Sequence, residues 1–178
     1  MITILLPLAL LTAPDPQLDR CVDVLKHHEG LSLVEYTCPT GHQTIGYGHR
    51  LGKGESIPHI TYEGAIALLR YDTAKARDSV RKVYSPYYDT LPTAAQDALL
   101  YMAFQLGETG LARFVKLERA VIRADWREAG KECLSSKWAQ QTPVRARFCA
   151  SLFLSCLPNK TVQRGIKPLS DDKSPLAK

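Results

Sequence analysis

The sequence predicts an α+β fold in which helices predominate, with a small β-hairpin lobe and a larger helical lobe joined by a long helix. Three features indicate this fold: a strand-turn-strand pattern over 32–47, an N-capped helical pattern over 61–81, and an apolar run over 94–106. With 178 residues and 45% hydrophobic content, the chain can bury a core as one domain or as two small lobes that share a helix.

The first predicted helix begins at Asp15-Pro16, because Asp is a good N-cap and Pro suits the first helical position. Apolar residues then repeat at helical spacing: Leu18, Cys21, Val22 and Leu25. The helix is expected to stop at Gly30, which places Glu29 in its last turn. There the carbonyl end of the helix dipole disfavours a negative charge, and an acid catalyst needs a carboxyl group that stays protonated.

The hairpin is predicted from Ser32 to Tyr47, because strand-like residues flank a turn at Pro39-Thr40-Gly41. Thr44 lies on its second strand. After a loop, Thr61 is a suitable N-cap for a long helix that reaches about Arg81. The less polar side of that helix is expected to carry six residues: Tyr62, Ile66, Leu69, Thr73, Ala76 and Val80.

The run over 94–106 is apolar nearly all round, as expected of a helix at the centre of a helical lobe, and Gly107 can cap its end. Asp125 before Trp126 and Thr142 before Pro143 are further N-cap signals, so the remainder is predicted to form several short helices.

These elements predict one domain over 15–157, with a small lobe over about 31–60 and a helical lobe over about 82–157 plus the first helix. The polar composition over 158–178 predicts a loose tail. The segment 1–14 opens with an apolar stretch, but it is short for a bilayer and lacks the basic residues of a secretory signal. We expect no stable membrane span, and we favour a packed or disordered segment over a weak export signal or tether.

The charge of the chain and the motifs that it lacks exclude several classes of protein. A formal charge of +5 indicates an anionic partner, for which nucleic acid and bacterial cell wall both qualify. Because the sequence contains no recognisable nucleic-acid-binding module, we expect no nucleic-acid partner.

Five cysteines without C-x-x-C spacing, and five histidines without H-E-x-x-H, predict neither a complete disulfide framework nor a metal site. The sequence also contains no G-x-S-x-G motif, so it does not predict a serine hydrolase.

The spacing of Glu29, Cys38 and Thr44 across a helix end and a hairpin allows all three to line one cleft. These residues belong to a wider pattern over about 25–153: Glu29-Gly30-Leu31, Thr44-Ile45-Gly46-Tyr47-Gly48-His49, Phe104-Gln105-Leu106-Gly107-Glu108-Thr109-Gly110, and Gln141-Thr142-Pro143 with Arg145. Together they resemble the T-even phage lysozyme family, the phage-type muramidases. The resemblance implies a two-lobed lysozyme-like fold with a shortened segment between His49 and Thr61.

By this resemblance, Glu29, Cys38 and Thr44 are the catalytic residues. Glu29 would donate a proton to the leaving glycosidic oxygen, while the other two would hold the water that attacks from the opposite face. Cys38 stands where better-known members have aspartate. A thiol with an ordinary pKa of about 8.5 is mostly neutral at pH 7, so Cys38 would orient water weakly or act as a thiolate beside a cation.

The resemblance also places Arg145 near Glu29, where it would fix the position of the carboxyl group. Four residues fall at positions that resemble cell-wall-binding residues of the cleft: Arg50, Phe104, Gln105 and Lys137. Of these, Arg50 replaces an apolar residue and Lys137 an arginine. His49 is better interpreted as a buried structural histidine paired to an acid.

The implied function is that of a cofactor-free, monomeric endolysin that cleaves the β-1,4 bond between N-acetylmuramic acid and N-acetylglucosamine in peptidoglycan, with inversion. It would be made in the host cytoplasm and act on the periplasmic cell wall. The missing aspartate leaves open a peptidoglycan-binding protein that has lost catalysis, and a lytic transglycosylase or chitinase-like enzyme is a third interpretation. If the N-terminal segment tethers the enzyme, a disulfide to Cys38 could hold it inactive, with Cys21 a candidate partner.

Overall fold

The computed structural model describes residues 14–158, so the expectations for the segment before Pro14 and for the tail from 159 onward lie outside the described residues. The described elements are α1 (Pro16–His28), β1 (Ser32–Thr37), β2 (Gln43–Gly46), β3 (His49–Arg50), α2 (Tyr62–Val83), a 3₁₀ turn (Tyr88–Thr90), α3 (Thr93–Ala112), α4 (Val115–Ile122), α5 (Trp126–Leu134), α6 (Lys137–Gln141) and α7 (Pro143–Ser155). The predicted α+β class, with helices predominant, is confirmed.

Helix α1 begins as the sequence predicts, because the Asp15 side chain accepts a hydrogen bond from the N–H of Leu18 at 3.1 Å. Its last residue is His28, whereas the sequence predicted that Glu29 would still be helical and that the helix would stop at Gly30. Glu29 is the C-cap, with an extended backbone (φ −103°, ψ 142°) and an N–H that still donates to the carbonyl of Leu25. The chain therefore turns from helix towards strand at Glu29, one residue earlier than expected.

The three strands form an antiparallel sheet in chain order. Thr44, on the central strand, is aligned with Tyr36 of β1 and with Arg50 of β3. The sequence predicted the hairpin but missed β3, because two residues are too few to show an alternating pattern. Ile45 is fully buried and packs with Leu68 of α2, so that the sheet is fixed on that helix.

Helix α2 begins where predicted, with the Thr61 hydroxyl accepting a hydrogen bond from the N–H of Gly64 at 3.1 Å. Its buried residues are Ala65, Leu68, Leu69, Thr73, Ala74, Ala76 and Val80. Tyr62, expected on the same side, is 47% exposed. Tyr62 lies in the first turn of the helix, where its ring is only partly covered.

Helix α3 forms the centre of the helical region, as predicted, and residues 97–103 are all buried. Gly107 adopts φ 67° and ψ 177°, a backbone conformation that a residue with a Cβ rarely adopts, and it interrupts the helix. The helical path resumes and continues to Ala112, so Gly107 marks a kink rather than the end. Phe104 and Gln105 lie in the last turn before this kink.

The two late helices with predicted N-caps begin at the expected positions, but only the first of them is capped as predicted. The Asp125 side chain accepts a hydrogen bond from the N–H of Glu128 at 3.1 Å. Thr142 precedes α7 without capping it, because its hydroxyl donates to the carbonyl of Trp138 in α6 at 2.9 Å. Helix α7 starts at Pro143, so Arg145 lies in its first turn. Within residues 14–158, every helix is too short or too polar to cross a membrane.

Candidate active site

Glu29 is held in place by Arg145, which reaches it from helix α7. Arg145 Nη1 donates to Glu29 Oε1 at 2.6 Å, and Arg145 Nη2 donates to the carbonyl oxygen of His28 at 2.8 Å. The second bond satisfies one of the carbonyl groups that the end of α1 leaves without an intrahelical partner. Within the described part of the chain, the other carboxyl oxygen of Glu29 has no hydrogen-bond partner.

Glu29 lies between two cavities. The larger one, a cleft of about 590 Å³, opens between the sheet, α2 and α3. Its lining includes five residues that the sequence assigned to the site: Glu29, His49, Arg50, Phe104 and Gln105. A second cavity of about 280 Å³ lies beside Gly30 and Tyr36 and shares Glu29 and Gly48 with the first. A carboxyl group in this position can reach a ligand that extends through both cavities.

His49 ties one side of the cleft together. Its Nδ1 lies 2.8 Å from Asp72 Oδ2, so that β3 is joined to α2. The expected pairing with an acid is confirmed, although the His49 side chain is still 15% exposed rather than fully buried. This contact fixes the backbone next to Arg50, which also lines the cleft.

Cys38 and Thr44 lie at the turn between β1 and β2 and on β2 itself. The N–H of Cys38 donates to the carbonyl of His42 at 2.9 Å, and the Thr44 hydroxyl donates to the same carbonyl at 3.0 Å. The Cys38 Sγ lies 3.1 Å from the hydroxyl oxygen of Thr40. Neither Cys38 nor Thr44 lines the two cavities described above.

Thr40 is the functional candidate that the sequence reasoning missed, since it was assigned only to the turn. Its hydroxyl is the main reason why the pKa of the Cys38 thiol falls to about 6. The backbone of His42 and the hydroxyl of Thr44 lower this pKa further, whereas partial burial opposes them. Of the two roles predicted for Cys38, weak orientation of water and activation beside a cation, the lowered pKa favours activation, and its cause is hydroxyl and backbone donors rather than a cation.

The thiol pKa values of the other four cysteines are raised rather than lowered. Burial raises the pKa of Cys21 and of Cys133 to about 12, and it also raises the pKa of Cys149 and Cys156. Cys21, the suggested disulfide partner of Cys38, is buried in the helical core with its Sγ 3.6 Å from Asp97 Oδ1. All five cysteines are free thiols in this structure, so that pairing is not formed.

The remaining predicted residues divide between two places. Phe104 and Gln105 line the cleft beside Glu29, and Gln105 Oε1 accepts a hydrogen bond from Trp138 Nε1 at 2.9 Å. Lys137 lies instead in a neighbouring groove of about 550 Å³, which shares only Leu106 with the cleft. Across residues 14–158, no group of three or more potential ligands could hold a metal ion.

Comparison with protein families agrees with this geometry. The model of the phage lysozyme family matches residues 26–147, a range that contains Glu29, the sheet and Arg145. The chain therefore belongs to the phage lysozyme family. Membership indicates a lysozyme-type glycosidase whose substrate is peptidoglycan.

Three similar proteins illustrate the relationship. A probable T4-type lysozyme 2 of Dictyostelium discoideum is 29% identical over 155 residues, which cover 74% of this chain and 91% of that protein. The endolysin of Acyrthosiphon pisum secondary endosymbiont phage 1 is 31% identical over 120 residues, which cover 66% of this chain and 75% of that endolysin. The pre-baseplate central spike protein Gp5 of Enterobacteria phage T4 is 29% identical over 172 residues, or 84% of this chain but only 30% of Gp5.

Proposed function

We propose that the protein is an endolysin that hydrolyses the β-1,4 bond between N-acetylmuramic acid and N-acetylglucosamine, with inversion, and thereby lyses the host cell. In this proposal a monomer made in the host cytoplasm acts on the periplasmic cell wall. The observation that carries the proposal is the position of Glu29, anchored by Arg145 between two cavities that a glycan strand can occupy together.

Glu29 acts as the general acid in this mechanism. Arg145 holds one carboxyl oxygen, which leaves the other to protonate the glycosidic oxygen of the leaving sugar. Bound glycan excludes water from both cavities, so that bulk water does not compete for the transferred proton. Positioned general acids of this kind contribute about 100-fold to 10,000-fold to the rate.

Cys38 and Thr44 hold the attacking water on the opposite face of the sugar. Because the pKa of Cys38 is lowered to about 6, its thiolate can accept a proton from the water as the oxygen bonds to the anomeric carbon. The Thr44 hydroxyl donates its hydrogen to the carbonyl of His42, and its oxygen can accept a hydrogen bond from that water. Each turnover moves one proton from Glu29 to the leaving sugar and one from water to Cys38, and both groups then re-equilibrate with solvent.

The deciding experiment compares wild type with Glu29→Gln in turbidity assays on Gram-negative cells whose outer membrane has been permeabilised, under reducing conditions. We expect wild type to clear the cells with new reducing muramic ends in the α configuration, and the variant to lose about 100-fold or more of the rate while remaining folded. Gln is a suitable replacement because its amide oxygen can still accept from Arg145.

Other outcomes would identify the alternatives. New 1,6-anhydro ends would show a lytic transglycosylase, and a first product of retained configuration would contradict inversion. A folded wild-type protein that sediments with cell walls and releases no sugar ends would support the binding-protein interpretation. Clearance by both forms at similar rates would contradict the role of Glu29.

A further inference from the structure

The charged side chains of the cleft differ in their partners: within residues 14–158 each acid contacts a basic residue, whereas neither cation contacts a carboxylate. Four residues with a formal charge at neutral pH line it: Glu29, Asp72, Arg50 and Lys75. Glu29 is paired with Arg145 at 2.6 Å and Asp72 with His49 at 2.8 Å. Among residues 14–158, neither Arg50 nor Lys75 has a carboxylate within 4.0 Å.

Lys75 is an exception on its own helix. Helix α2 carries five basic residues, and four of them form ion pairs: Arg70 with Asp19, Arg77 with Asp15, Arg81 with Asp89, and Lys82 with Glu108. The Lys75 ammonium instead lies 5.4 Å from the centre of the Tyr71 ring, where the face of the ring favours a cation. This contact holds the side chain while leaving its hydrogen-bond donors for another group.

The position of Lys75 directs it into the cleft. Asp72, Lys75 and Ser79 are three and four residues apart on α2, so they share one face of the helix, and all three line the cleft. The bond between His49 and Asp72 fixes β3 against this face. Arg50 follows His49 in β3 and also lines the cleft, so the sheet and α2 each contribute one cation to its lining.

We propose that Arg50 and Lys75, the two cations of the cleft, bind free carboxylates of the peptidoglycan stem peptides. The inference rests on the proposed function and extends it to the peptide part of the substrate. The glycan strand offers hydroxyl and amide groups, whereas the stem peptides carry the carboxylates. Arg50 can bind a carboxylate through two parallel hydrogen bonds, and Lys75 binds it as a compact charge.

The test measures binding of fluorescent peptidoglycan strands to protein carrying Glu29→Gln, which prevents turnover. One strand preparation keeps its stem-peptide carboxylates, and a second has them converted to amides. Into this background we introduce Lys75→Met or Arg50→Gln, and Lys53→Met serves as the matched control. Lys53 is exposed and lines no described cavity, and its replacement by Met removes the same charge as Lys75→Met does.

We expect Lys75→Met and Arg50→Gln each to weaken binding of the carboxylate strands about two-fold to five-fold, as for partly exposed ion pairs, and to leave binding of the amidated strands unchanged. The loss should shrink as salt is raised. Equal effects on both strands, or effects no larger than those of Lys53→Met, would overturn the proposal. Because the readout is binding, it remains decisive if the wild type proves not to cleave the glycan.

Discussion

Arg145 and Glu29 are 116 positions apart in the chain, yet the Arg145 Nη1 and Glu29 Oε1 atoms are 2.6 Å apart. The same guanidinium donates to the carbonyl of His28 at 2.8 Å. One side chain of α7 thus holds both the end of α1 and the carboxyl group that follows it. The contact joins a structural requirement, the satisfied helix end, to a functional one, the fixed carboxyl group.

Replacing Arg145 by Ala should therefore lower both stability and activity. The variant leaves the Glu29 carboxylate and the His28 carbonyl without their shared donor. The side chains of Arg145 and Glu29 are each only about one-fifth exposed. We expect the free energy of unfolding to fall by about 1–2 kcal/mol after allowance for solvent screening. Urea unfolding followed by circular dichroism measures this change.

Arg145→Lys provides the control, because it keeps the charge but cannot contact both acceptors in the same geometry. It should recover part of the stability and little of the lytic rate. Combining Arg145→Ala with Glu29→Gln gives a double-mutant cycle in which the coupling between the two sites can be measured. If Arg145→Ala were as stable and as active as wild type, the contact would have no role in holding Glu29.

Thr40→Val should raise the pKa of Cys38. The Thr40 hydroxyl is the largest cause of the lowered pKa, so its removal shifts thiolate formation from about 6 towards the ordinary range for a thiol. Alkylation of Cys38 as a function of pH, followed by mass spectrometry of its peptide, gives this midpoint directly. The other four thiols, whose pKa values are raised, serve as internal references.

Thr40→Ser keeps the hydroxyl and should keep the low midpoint. Thr40 is exposed, so neither substitution is expected to disturb the core. If Cys38 is the base, the acid side of the pH profile of lysis should move upward in Thr40→Val by the same amount as the alkylation midpoint. An unchanged midpoint in Thr40→Val would show that the turn hydroxyl does not stabilise the thiolate.

Much of this site could be predicted from local sequence signals. The cap at Asp15, the turn at 39–41 and the cap at Thr61 each depend on neighbouring residues, and all three appear where expected. The family resemblance then placed Arg145 near Glu29, which the structure confirms. Local signals alone could not do so, because this contact spans almost the whole domain.

The differences arise where tertiary contacts decide the outcome. The sequence predicted Thr142 as an N-cap, but its hydroxyl donates to the carbonyl of Trp138 in the preceding helix. The sequence predicted Thr40 only as a turn residue, because its contact with the Cys38 thiol depends on how the turn folds. Lys137 was expected in the cleft with Gln105, but the path of the chain after α5 places it in the neighbouring groove.

Substitutions at Cys38 test its role as the base. Cys38→Asp should retain activity, because aspartate supplies a carboxylate at the position where better-known members of the family have one. Cys38→Ser should lose about 100-fold or more, since a serine hydroxyl stays protonated at neutral pH and makes a poor base. Initial rates of lysis across the pH range compare the three forms. Equal rates would show that the side chain at position 38 takes no part in the reaction.

Trp138→Phe tests whether the hydrogen bond behind Gln105 positions that residue in the cleft. The substitution removes the Nε1 donor that lies 2.9 Å from Gln105 Oε1, while the aromatic contact with Phe114 can largely be kept. We expect a loss of about 1 kcal/mol in stability and a rise in KM of about two-fold to five-fold, with kcat little changed.

Trp126 is the matched control for this experiment, since the chain has two tryptophans and both are 7% exposed. Trp126 lies at the start of α5 and lines neither the cleft nor the groove. Trp126→Phe should therefore change the free energy of unfolding without changing KM. A rise in KM of the same size in both variants would mean that Trp138 acts through general stability, whereas a rise confined to Trp138→Phe would show that it positions Gln105 for the substrate.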